Sequence, residues 1–227
     1  MAVSLAAAQP AAAARVAPSQ RIVSLFTTHG VRAEPNISRK VLSRIPATRP
    51  ITDERTKLPV LGSKRDAQKR LWLHVRVPGR ANGQKKPPST GWITTEHTLQ
   101  DATPWHLTLD VGSRTLRVYH AGRQEKKYSV IVGAPATPTP HGQFFVEESV
   151  KLPSDAAGEP YALALSARSS VFQDFDGGPG QIAVHGRNNI GGTLGTAVSH
   201  GCIRASTTAV TWLAKHIGQG VPVTIGG

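Results

Sequence analysis

The 227-residue chain holds one cysteine, Cys202, in the stretch AVSHGCIRAS at 197–206. A thiol attacks as its thiolate, so a nucleophilic cysteine needs a base or a positive field beside it. An acyl-transfer site also needs backbone N–H donors aimed at the developing oxyanion. Gly201 directly precedes the cysteine, lets the chain turn tightly there and leaves its N–H accessible. His200 supplies one neighbouring imidazole, and His185, seventeen positions before Cys202, ends the strand-like QIAVHG. The Gly-rich GRNNIGGTLGTAVS between them can fold back and bring His185 to the sulfur. Two other readings suit the same residues. A lone cysteine is commonly a small buried hydrophobe. His185, His200 and Cys202 are also three of the four ligands a structural zinc site requires, with no C-x-x-C to supply the fourth.

The elements that must position these groups read almost entirely as strands. From about residue 21 to 97, short apolar runs (RIVSLF, KVLSRI, KLPVLG, RLWLHVRV, GWITT) are separated by Pro, Gly and Asn turns. Leu71, Leu73, Val75 and Val77 alternate as in a half-buried strand. This predicts a small β-barrel with long polar loops at 46–58 and 78–90, the second an exposed hairpin loop. From about residue 104 to 226, WHLTLDVGSRTLRVYHAGRQEKKYSVIVG predicts three strands, turning at GS and AG. GQFFVEESV, QIAVHG and VPVTI predict further strands. One helix is predicted after Ser206, its N-cap, with Val210, Leu213, Ala214 and Ile217 on one face and Gly218 at its end. Residues 98–103 are the expected linker. The Pro/Gly/Ala-rich 148–166 is expected to form a flap over the cleft, with Tyr161 lining it.

Composition narrows the function classes. Apolar residues make up 39% of the chain, low for one core, so part is expected to be linker or tail. No run of 18 apolar residues exists to span a membrane as a helix. Residues 1–20 are nearly all small; they read either as the end of a secretory signal, with Ala-x-Ala cleavage options near Ala8 and Ala14, or as a disordered Ala/Pro leader. Avoidance of cysteine suits an oxidising compartment, as it does many cytosolic proteins. The net charge of +13 is uneven: residues 1–103 hold 17 Lys and Arg against 6 Asp and Glu, and residues 104–227 hold 10 against 8. A basic N-terminal half attracts polyanions. It shows no nucleic-acid-binding motif and its basic residues are scattered, which ranks anionic wall polymers or a plain soluble surface above nucleic acid.

VHGRNNIGGTLGTAVSHGCIRAS closely resembles the signature of the L,D-transpeptidases with a YkuD catalytic domain, in which a histidine ends a strand and Ser-His-Gly-Cys follows a Gly-rich loop. The opening hairpins, the ATPTPHGQFFV turn and the closing AVTWLAKHIGQGVPVTI resemble the family's blocks in the family's order, over about 104–226. Two departures are a short spacing of thirteen residues between His185 and Ser199, and Arg204 where many members have Asn. The pieces GVRAEP, PVLG, LWLHVRV and GWIT resemble a bacterial SH3 domain. The resemblance thus implies a mainly β chain: a small SH3-like β-barrel at 21–97, then a YkuD-type β-sandwich at 104–226 with one or two short helices.

What the family resemblance implies for the chemistry is specific. Cys202 is the nucleophile, His185 the general base, and the Gly186 carbonyl the group that orients the imidazole. The N–H groups of Gly201 and Cys202 form the oxyanion hole. Ser199, His200, Arg204 and Tyr161 bind substrate, and a structural ion pair is the other role open to Arg204. The implied substrates are peptidoglycan stem peptides, donor and acceptor, joined 3→3 with no metal or organic cofactor, at the extracytoplasmic cell envelope. The family's cysteine is characteristically acylated by carbapenems. Rival readings are an L,D-carboxypeptidase using the same cysteine and histidine, and a wall-binding protein with an inactive second domain.

Overall fold

Period-two apolar patterning organises the chain into strands. The computed structural model describes residues 16–83, 86–172 and 178–227, and among these are seventeen strands and one helix. The leader expected at 1–20 lies, as far as residue 15, outside the described residues.

The first seven strands are β1 (Gln20–Leu25), β2 (His29–Val31), β3 (Ser43–Ile45), β4 (Lys57–Arg65), β5 (Leu71–Arg76), β6 (Thr90–Thr94) and β7 (Thr98–Thr103). Five form an antiparallel sheet in the order β6-β5-β4-β1-β7, while β2 pairs with β3. Leu73, Val75 and Val77 are buried as their alternation requires, whereas Leu71 is only half-buried. Trp72, on the other face of β5, is buried as well. Its indole N–H donates to Asp66 Oδ2 at 2.9 Å, and the Arg32 guanidinium carbon lies 5.7 Å from the ring centroid. Residues 98–103 correct the linker expectation: they form β7, paired along all of β1 from Gln20↔Thr103 to Leu25↔Thr98. This edge strand exposes four of its six residues, so no apolar alternation marks it in the sequence.

The remaining elements are β8 (Trp105–Asp110), β9 (Thr115–His120), β10 (Arg123–Ser129), β11 (Val132–Gly133), β12 (Gly142–Lys151), β13 (Tyr161–Arg168), β14 (Gln181–His185), β15 (Ala197–Ser199), β16 (Ile203–Arg204), α1 (Thr207–His216) and β17 (Pro222–Gly226). Eight strands run in the order β10-β9-β8-β17-β12-β13-β14-β16, and β11 pairs with β15. The turn between β9 and β10 is Ala121–Gly122, both at positive φ, as a two-residue hairpin turn requires. The Ser206 hydroxyl caps α1 by accepting the Ala209 N–H at 3.2 Å, and Val210, Leu213 and Ile217 enter the core. Ile217, not Gly218, is the C-cap; its N–H donates to the Leu213 carbonyl at 2.8 Å.

Strand β12 joins the two halves. Phe145 packs into the core of the first sheet. The next side chain out, Glu147, is fully buried and accepts from Arg49 Nη2 (2.6 Å) and the Gly79 N–H (2.8 Å) of the N-terminal half. On its other side it accepts from Arg168 Nη2 (3.1 Å) and Gln181 Nε2 (3.0 Å). Thr52 adds backbone and hydroxyl bonds to Glu148 Oε2 at 3.2 Å. The start of the loop expected at 78–90 is drawn into this contact, where Arg168 Nε donates to the Arg80 carbonyl at 2.9 Å, while 81–83, 86 and 89 are exposed as expected.

Candidate active site

Strand register sets the site. Val184 pairs with Ile203, and His185 with Arg204, in the parallel β14–β16 ladder. Val184 and Ile203 point into the core, so alternation turns Ala183, His185, Cys202 and Arg204 to the opposite face. Strand β13 extends the same surface, with Ala162 opposite His185 and Ala164 opposite Ala183. Cys202 and His185 therefore share one face of two adjacent strands, although seventeen positions apart in the chain.

His185 Nδ1 lies 2.6 Å from the Gly186 carbonyl oxygen. A carbonyl only accepts, so Nδ1 carries the proton and Nε2 is left as the basic lone pair. One glycine makes room for this ring and a second for the loop beside it. A Cβ on Gly158, which sits at φ +86°, would collide with the imidazole, and one on Gly186 would collide with the Glu159 carbonyl. The segment expected as a flap is shorter than 148–166, because β12 runs to Lys151 and β13 starts at Tyr161. The remaining loop, 152–160, lies against His185. It is tied to the residues after the histidine by the Gly158 N–H to the Asn188 carbonyl (2.8 Å) and by Asn189 Nδ2 to the Ser154 carbonyl (2.9 Å).

Burial dominates the electrostatics. It pulls His185 below its ordinary 6.5, a shift the Gly186 carbonyl opposes and the Arg204 charge reinforces. Burial pushes the Cys202 thiol above its ordinary 9.0, opposed by the Ala183 backbone and by Arg204. The resting pair at neutral pH is thus a neutral thiol beside a neutral imidazole, with the thiol 3.8 Å from the Gln181 carbonyl. The guanidinium of Arg204 is buried, and one of its donors, Nε, has no hydrogen-bond partner. A buried charged donor without an acceptor favours an anion beside it.

Several expected roles change with the geometry. Ser199 is 1% exposed. Its hydroxyl donates to the Cys202 carbonyl at 2.5 Å and accepts the Gly201 N–H at 3.2 Å, so it braces the turn and has no free face for substrate. The same bond commits the Gly201 N–H, which the oxyanion-hole expectation had left accessible. Gly201 does need to be glycine, with φ at +116°. Tyr161 faces the core cluster alongside Leu163 rather than the surface that carries His185, because one step along β13 reverses the face. His200 is exposed and meets the Phe172 ring edge-on at 5.8 Å. Sequence reasoning missed Thr137 and Thr139. Thr139 Oγ1 donates to the Gly201 carbonyl at 2.8 Å, and Thr137 Oγ1 donates to the Ser199 carbonyl at 3.1 Å. Their only signal was the TPTPHG turn itself. Among the described residues, no three His, Cys, Asp or Glu side chains gather as metal ligands.

The family model of the L,D-transpeptidase catalytic domain, YkuD, matches residues 104–225. The YkuD proteins of Bacillus licheniformis and Bacillus subtilis are each 33% identical, over 125 and 122 residues. These spans are 55% and 54% of this chain, and the chain covers 67% and 66% of those proteins. Among solved structures, an Enterococcus faecium L,D-transpeptidase is 20% identical with a TM-score of 0.42, over 54% of this chain and 49% of that one. An L,D-transpeptidase from Mycobacterium smegmatis is also 20% identical with a TM-score of 0.42, over 69% of this chain and 90% of that one. The chain thus spans about two thirds of the Bacillus relatives and about half of the Enterococcus chain. With its cysteine turn and strand-end histidine inside the matched region, this chain belongs to the YkuD family of L,D-transpeptidase catalytic domains.

Proposed function

We propose that this chain is a peptidoglycan L,D-transpeptidase that joins stem peptides by 3→3 crosslinks in cell-wall biogenesis. The observation that carries the reading is the shared face of Cys202 and His185, with the imidazole tautomer fixed by Gly186. His185 Nε2 takes the thiol proton as Cys202 Sγ attacks the carbonyl carbon at the L-centre of the third residue, a diamino acid. The Cys202 N–H faces the developing oxyanion; the Gly201 N–H reaches it only by leaving Ser199. Collapse of the tetrahedral intermediate breaks the C–N bond, and D-Ala leaves with the proton from His185. The side-chain amine of a second stem then attacks the thioester, and its proton passes through His185 to the departing thiolate. Arg204 holds a substrate carboxylate near this pair, which its unpartnered Nε supports. The scheme uses no metal or organic cofactor.

A peptidoglycan substrate supports a site of action outside the cytoplasm, at the cell envelope. The N-terminal half fits an SH3-like wall-binding unit, supported by its excess of 17 basic over 6 acidic residues in the first 103 and its five-stranded antiparallel sheet. The test is incubation with tetrapeptide stems and mass analysis of the products, beside Cys202→Ala. Crosslinked dimers and free D-Ala from the parent alone are the expected result. Tripeptide without dimer would reassign the reaction to an L,D-carboxypeptidase, and no product would overturn both.

A further inference from the structure

The face that carries His185 and Cys202 continues into a cleft of about 930 Å³. Its floor includes Ala162 and Ala164 of β13 and Gln181 and Ala183 of β14. These residues are the site's cross-strand neighbours, since Ala162 stands opposite His185 and Ala164 opposite Ala183. Adjacent strands lie about 4.8 Å apart, so Cys202 is one strand step from the floor.

The facing wall comes from the other half of the chain. Residues from 43 to 53 and from 77 to 82, with Pro87, line it from the N-terminal half, among them Ile45, Ile51 and Val77. This wall is held rigidly against the floor, because Glu147 binds Arg49 and Gly79 on one side and Arg168 and Gln181 on the other. Gln181 is therefore both floor and hinge pin: its side chain joins the ion cluster while its carbonyl meets the Cys202 thiol.

The lining has a definite chemistry. Three alanines keep the floor low and apolar. Arg49 and Arg168 are each paired with Glu147, but Arg44 and Asp53, both exposed on the wall, make no ion pair with any described residue. One free cation and one free anion over a floor of small side chains suit a short peptide of small residues with a free carboxylate and a free ammonium. A stem peptide ending in alanine and carrying a diamino acid has that chemistry, and a cleft of this volume is of the size that encloses a ligand of several residues.

We propose that this cleft, walled by the N-terminal half, holds a stem peptide against Cys202, with Arg44 taking a carboxylate other than the one at Arg204 and Asp53 taking its ammonium. The inference rests on the proposed reaction for the identity of the peptide, and it makes the N-terminal half part of the substrate site.

The test is calorimetric titration of a tetrapeptide stem into Cys202→Ala, with and without Arg44→Glu and Asp53→Lys. Each exposed substitution is expected to weaken binding about three- to five-fold. The circular dichroism spectrum and urea midpoint of Arg44→Glu and of Asp53→Lys are expected to match the parent's, which shows that both substitutions leave the fold intact. Equal affinities in all three proteins, or no tetrapeptide binding at millimolar concentration, would overturn the proposal. Binding that depends on Arg44 and Asp53, in a parent that makes neither dimer nor tripeptide, would uphold the cleft and overturn the reaction. Dimer formation at the parent rate by the Arg44→Glu, Asp53→Lys double variant would overturn the cleft and uphold the reaction.

Discussion

The Ser199 hydroxyl closes the turn at Cys202 by donating to the Cys202 carbonyl at 2.5 Å while it accepts the Gly201 N–H. Ser199→Ala removes both bonds and strands two polar backbone groups at a buried position. The expected cost is about 1–3 kcal/mol of stability, read as a lower denaturation midpoint. Because the turn aims the thiol, slower acylation of Cys202 is expected with it. Unchanged stability and acylation would return Ser199 to a surface role.

The burial of His185 and Cys202 sets a pH dependence. A base whose pKa lies below 6.5 stays unprotonated to lower pH, so the acid limb of the rate profile is expected below the ordinary histidine range. The raised thiol pKa predicts that alkylation of free Cys202 by iodoacetamide keeps accelerating past pH 9.

Arg204 lowers the pKa of both groups through its charge. Removing that charge in Arg204→Gln should raise both, moving the acid limb and the alkylation profile to higher pH. Stopped-flow acylation and alkylation profiles of the two proteins check the sign. Unchanged profiles would show that the guanidinium does not act on the pair, and a shift to lower pH would reverse the sign of its effect.

Gly158 leaves no space for a side chain beside the His185 ring and holds a positive φ. Gly158→Ala must therefore shift the imidazole or the 152–160 loop. A misplaced base predicts a drop of about 10- to 100-fold in the acylation rate, with the thiol still open to alkylation. A parent-like rate would mean that the loop yields freely.

Glu147 pairs with two arginines in a buried position between the halves. Glu147→Gln leaves Arg168 without a counter-charge and Arg49 with only Glu148, 4.0 Å away, and a loss of about 3–5 kcal/mol is expected. Urea denaturation measures it, and a midpoint equal to the parent's would show that water compensates the cluster.

Local patterns were legible in the sequence wherever one residue's environment follows from its neighbours in the chain. The Leu73–Val75–Val77 alternation, the Ser206 cap and the Ala121–Gly122 turn all fold as their residue types require. The site's long-range pairing was legible only through family resemblance, because a Gly-rich loop does not specify where His185 lands. What stayed hidden was set by tertiary register. Tyr161 reads as a cleft residue until its strand pairing turns it to the core. The polar β7 reads as a linker until β1 pairs with it. Glu147 looks like any strand glutamate until Arg49, 98 positions away, meets it.

Intact mass after incubation with a carbapenem, on the parent and on Cys202→Ala, tests the central claim most directly. The account predicts one covalent adduct on the parent and none on the variant, because the thiol beside His185 accepts acyl groups. An unmodified, folded parent, or an adduct that persists in Cys202→Ala, would contradict it.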